Sequence, residues 1–152
     1  ARQGYTANPK SYYEAILKTP MTIQSTAYLD NEPLATSILL RYRDTMTYLF
    51  GASRDLRREV MAPTQLQWYN ILKAKASGCT EYDFLGVAAP GHAGQDRVQS
   101  FFGYSWDSSH PFSQLTRFKI GFGGRVESAG EAMDIVIRPL AFQIRQALER
   151  FR

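Results

Sequence analysis

Arg117, Phe118 and Lys119 stand immediately before three glycines within four residues, Gly121, Gly123 and Gly124. Glycines let the backbone take positive φ and come close to a bound group, and the two cations beside them suit an anion or a developing oxyanion. The structural alternative is a helix that ends in a glycine turn with its basic residues solvated. Other residue types with chemical capacity are sparse. Cys79 is the single cysteine, so neither an internal disulfide nor a zinc cluster can be built from cysteines. His92 and His110 lie 18 positions apart with no cysteine or carboxylate at ligand spacing, and no metal is assigned to them. Ser53 follows Gly51-Ala52 without nucleophile-elbow spacing or a tied histidine, so it is no candidate nucleophile.

The elements that would position these residues follow from periodicity. Ser11 to Glu14 has capping-box spacing, which predicts a short helix to about Thr19 before Pro20. Alternation predicts three successive antiparallel strands, at 21–30, 34–42 and 45–50, with turns at Asp30-Asn31-Glu32-Pro33 and Arg43-Asp44. A central, mostly buried helix is expected from Pro63 to Ser77. Its inner face is read as Leu66, Tyr69, Leu72 and Ala76, widened by Trp68 and Ile71, with Gly78 as its cap. A strand at 81–87, a long polar loop at 88–112, a short helix from Ser113 into the glycines, a strand at 131–138 and a helix from Pro139 complete the chain. The glycine end of the short helix is expected beside a cleft over the sheet. The long loop carries Phe101, Phe102, Tyr104 and Trp106, which could stack on an RNA end or pack over the sheet.

With 152 residues, 44% hydrophobic and 21% charged, the chain is read as a single domain with a full core, and no run of about 18 apolar residues offers a membrane span. A formal charge of +4 permits a phosphate-bearing or nucleic-acid partner without requiring one. The reading from the lone cysteine and the missing span and signal is a cytoplasmic protein, with a peripheral position at the inner membrane face left open. The chain begins at Ala1 without an initiator methionine, which suggests an excised or truncated domain.

The element order gives an α+β class with a mostly antiparallel central sheet flanked by helices, close to the GNAT acyltransferase fold. The glycine-rich loop that grips the acetyl-CoA pyrophosphate in that fold does not occur after the third strand. Four blocks in register resemble the second GNAT-like domain of the FemABX family of peptidoglycan aminoacyltransferases. They are Tyr48 to Ser53; Ala62-Pro63 with Leu66-Gln67-Trp68 and Ala76 to Cys79; Tyr82 to Gly86; and Arg117 to Gly124.

The resemblance implies a single GNAT-like domain over residues 1–152, the C-terminal half of a two-domain transferase whose first domain is missing here. It implies transfer of an amino acid from aminoacyl-tRNA, a co-substrate rather than a cofactor, to the stem-peptide amine of a nucleotide- or lipid-linked precursor. Catalysis is carried over to Lys119, for the oxyanion, and Phe118, whose carbonyl would meet the reacting amine. Tyr48, Ser53, Asp83 and Arg117 become substrate-binding candidates. Phe50 stands where relatives have a second tyrosine, and so offers no hydroxyl. Asp83 could accept a proton or orient the amine. The competing functions are a non-catalytic precursor-binding or partner domain, and a CoA-dependent N-acetyltransferase.

Overall fold

A computed structural model describes residues 7–91, 97–128, 130 and 139–149. Four strands, β1 (Thr22–Leu29), β2 (Glu32–Tyr42), β3 (Thr45–Ser53) and β4 (Glu81–Asp83), form a sheet in that spatial order. The first two pairings are antiparallel and β3–β4 is parallel, because helix α2 (Ala62–Ala76) carries the chain back between them. With helices packed on its strands, the α+β class stands.

The Arg43-Asp44 turn forms as expected, whereas the turn expected over Asp30 to Pro33 is confined to Asp30-Asn31, with Glu32 and Pro33 already paired in β2. Asp30, Asn31 and Arg43 adopt positive φ, and short polar residues tolerate that conformation best. Helix α1 (Lys10–Leu17) departs from the capping-box expectation, since it starts at Lys10 with Pro9 at its N-cap and no side-chain cap. Proline already holds the φ needed at a helix start, so Ser11 falls inside the helix instead of ahead of it.

One bulge decides which residues face which side. Ile38 pairs with Phe50 while Leu39 pairs with Tyr48, so Leu49 is the extra residue on β3. Without the bulge Tyr48 and Phe50 would share a face. With it, Phe50 packs edge-on against Tyr12 and Tyr13 of α1, while Tyr48 joins the core of Leu39, Met46, Ala74 and Cys79 beneath α2.

Helix α2 buries a different face from the one its apolar residues suggest. Leu66, Gln67, Asn70 and Ala74 are buried, whereas Trp68, Tyr69 and Leu72 are about half exposed. Hydrogen bonds make the difference, because a buried amide is tolerated when partnered. Tyr82 Oη donates to Gln67 Oε1 at 2.7 Å, and Asn70 Nδ2 donates to Ser37 Oγ at 2.9 Å. The strand expected over 81–87 ends at Asp83, because Leu85 turns into the left-handed region and its N–H is captured by Asp83 Oδ1 at 2.7 Å.

The 88–112 segment is not a loop throughout. It contains the hairpin β5 (Val98–Phe101) and β6 (Tyr104–Asp107), joined by the two-residue turn Phe102-Gly103. Trp106 is fully buried, so this aromatic is core. Helices α3 (Ser113–Ile120) and α4 (Pro139–Glu149) follow. The strand expected at 131–138, and His92, lie outside the described residues.

Candidate active site

Helix α3 buries a polar stripe, Ser113, Thr116 and Lys119, recurring every third residue on one face. Such a stripe is stable only if each member finds a partner. Ser113 Oγ accepts from Trp106 Nε1 at 2.9 Å, and Thr116 Oγ1 accepts from the Ala88 amide at 2.9 Å. Lys119 Nζ donates to the Gly86 carbonyl at 2.7 Å. Burial pushes the Lys119 pKa below the usual lysine value, opposed by the nearby Asp83 carboxylate. The outcome is a held ammonium of reduced hydration.

The carbonyl that holds it is supplied by the Asp83 turn. Asp83 Oδ1 accepts the Leu85 N–H and fixes the kink from which Gly86 presents its oxygen. Asp83 therefore acts on Lys119 through its charge and through the turn it makes.

The end of α3 is wound tightly. The amides of Gly121, Phe122 and Gly123 go to the carbonyls of Arg117, Lys119 and Ile120, so these bonds pass over the carbonyl of Phe118. A Cβ at Gly121 would come within 3.3 Å of that oxygen, and glycine keeps the approach clear. Gly123 and Gly124 take φ of 79° and 93°, conformations that favour glycine. Rings hold this end against the sheet: Phe122 stacks on Phe84 with centroids 5.2 Å apart, and Phe118 meets Phe122 edge-on. Tyr48 and Tyr82 meet Phe84 from β3 and β4.

Lys119, Phe118 and Asp83 are thus brought together. Tyr48 is tied to them through Phe84, with its hydroxyl lying over Gly51, where any Cβ would overlap it. Desolvation raises its pKa, partly offset by the Gln67 amide, so at neutral pH the phenol keeps its proton. Arg117 lies on the exposed side of α3, its guanidinium 4.6 Å from the ring centre of Phe101 on the hairpin. Ser53 lies apart, at the end of β3 in a depression of about 190 Å³ shared with Arg54, Arg57 and Arg58.

The glycines line neither of two cavities found among the described residues, the depression at Ser53 and a second one over the sheet. That second cavity, about 490 Å³, lies between β1 and α2, and among the described residues nothing comes within 4 Å of a Cβ at Gly123 or Gly124. The described residues contain no cluster that could hold a metal ion. Sequence reasoning missed Gly86, Phe84 and Phe122. The period-three recurrence of Ser113, Thr116 and Lys119 was the signal available for the buried stripe.

The end of α3 thus carries an ammonium and a bypassed carbonyl on consecutive residues. The FemAB family profile matches residues 6–150. The chain belongs to the FemAB family. No curated relative matches it. At the level of the family, membership carries a transferase role in peptidoglycan synthesis. None of the described helices is long and apolar enough to cross a membrane.

Proposed function

We propose that this FemAB protein transfers an amino acid from aminoacyl-tRNA to the stem-peptide amine of a peptidoglycan precursor, forming an interpeptide bridge. The observation that carries the reading is the pairing of a partly dehydrated, hydrogen-bonded Lys119 ammonium with the Phe118 carbonyl that the turn's hydrogen bonds pass over, at the end of one helix. The precursor amine attacks the ester carbonyl and forms a C–N bond. The negative charge that develops on the carbonyl oxygen meets Lys119, which is worth most where water is scarce. Phe118 O accepts a hydrogen bond from the attacking amine. Collapse of the tetrahedral intermediate breaks the ester C–O bond, and the ribose oxygen leaves with the proton that the amine loses.

In this reading Asp83 positions Lys119 through the Gly86 carbonyl, and Tyr48 would meet the phosphate or sugar of the precursor, while Ser53, which lies apart, would touch substrate only at the separate depression it shares with Arg54, Arg57 and Arg58. The tRNA ester brings the activated acyl group, so the scheme uses no resident cofactor, and the chemistry belongs to the cytoplasmic side where charged tRNA is made. The test is an aminoacyl-transfer assay with the full-length protein, charged tRNAs and both nucleotide- and lipid-linked precursors, read by mass spectrometry of the stem peptide. Addition of one residue per acceptor is the expected result. Transfer from acetyl-CoA, with none from charged tRNA, would overturn it.

A further inference from the structure

Phe102 is the most exposed large apolar side chain among the described residues, at 73%, and it occupies a left-handed conformation with φ of 46°. It is the first central residue of a two-residue turn, followed by Gly103 at φ of 79°. Both central residues of such a turn need positive φ, and asparagine, aspartate or glycine meet that need with least strain. A phenylalanine there gains little burial and strains the backbone. Fold stability does not explain the choice.

The turn stands next to the proposed reaction site. The Phe102 ring meets Phe101 edge-on with centroids 4.7 Å apart, and Arg117 lies over the Phe101 ring. Phe101 also comes within 3.6 Å of where a Cβ on Gly121 would sit, so the hairpin abuts the end of α3. Arg117 lies on the exposed side of that helix and Lys119 on its buried side, so the hairpin adjoins the site at Gly121, where a Cβ would lie 3.3 Å from the Phe118 carbonyl oxygen. An exposed ring and a guanidinium held over another ring are what unpaired bases and their phosphates require. Bases stack on both kinds of surface, and the cation answers the backbone charge.

We propose that Phe102, Phe101 and Arg117 form a platform that stacks the unpaired 3′ end of the aminoacyl RNA and so delivers its ester to Lys119. The proposal rests on the transferase reading and names how that site holds its RNA. The ester is borne by the last nucleotide, so whatever grips the terminal bases must adjoin the residues that act on the ester. The hairpin tip meets that condition.

The test measures binding of the full-length protein to an uncharged RNA hairpin with a short unpaired 3′ tail, against the same hairpin without the tail. Phe102→Asn removes the ring while supplying a residue the turn favours, so the fold should be kept or strengthened. Phe102→Tyr keeps the stacking surface. The expected result is a preference of wild type and Phe102→Tyr for the tailed RNA, lowered about tenfold or more in Phe102→Asn and in Arg117→Ala. Tail-dependent binding that is lost with Phe102 supports the platform even where no transfer is detected. Transfer that proceeds in Phe102→Asn with an unchanged KM for charged tRNA overturns the platform and leaves the transferase reading standing. Equal affinity for tailed and tail-less RNA in wild type overturns the platform as well.

Discussion

Helices α2 and α3 both bury polar side chains, yet to different ends. On α2, Gln67 and Asn70 are neutral amides sealed under the helix, bonded to Tyr82 and Ser37. On α3 the stripe begins with neutral Ser113 and Thr116 and finishes with a charge, Lys119, at an end opened by glycines. The α2 amides fix packing through the bonds they make, although Asn70 Oδ1 is buried without a partner. A buried ammonium is unfavourable for stability, and the proposed function gives this one a use at the end of the helix.

The comparison can be broken first at the neutral base of α3. Trp106 is fully buried against Ser113, so Trp106→Ala should lower stability by about 3–5 kcal/mol in a denaturant melt. A loss under about 1 kcal/mol would show that the hairpin does not seat α3. Thr116→Val keeps the shape but leaves the buried Ala88 amide without its acceptor. The expected loss is about 1–3 kcal/mol, checked in the same melt, and an unchanged midpoint would mean that water replaces the hydroxyl.

Beneath α2, Gly51→Ala drives a methyl into the Tyr48 hydroxyl and should destabilise by about 1–3 kcal/mol as the ring is displaced. A crystal structure of the variant with Tyr48 unmoved would contradict this.

The smallest effect concerns pH. Lys119 titrates below the ordinary lysine value, so between its folded and unfolded pKa the unfolded chain binds more protons, and stability rises with pH across that window. Activity should run the opposite way, falling as Lys119 loses its proton below the ordinary lysine pKa of about 10.4. A kcat profile flat up to that pH would remove the charge from the mechanism.

Much of this was legible in the sequence. The meander of β1 to β3, the extent of α2 and the glycine-ended α3 follow from alternation, helical spacing and turn residues. The buried face of α2 was not legible, because Trp68, Tyr69 and Leu72 outweigh Gln67 and Asn70 on any hydrophobic scale, and only the tertiary partners Tyr82 and Ser37 reverse that. Nor was the split of Tyr48 from Phe50, which depends on a bulge at Leu49 that alternation conceals. The hairpin was concealed by its turn, where Phe102-Gly103 lacks the asparagine or aspartate that usually announces one. At the site, the glycine motif pointed to Lys119 as a candidate and the family resemblance added Phe118, but the carbonyl of Gly86 that holds the ammonium belongs to backbone geometry set by Asp83 and Leu85.

The most direct measurement is steady-state transfer by the full-length protein carrying Lys119→Met. An ammonium that acts as the oxyanion forms should, when lost, lower kcat by about a hundredfold or more and leave the KM for the precursor near its wild-type value. A variant with kcat preserved and only KM raised would contradict that account, since Lys119 would then bind ground state and transition state alike.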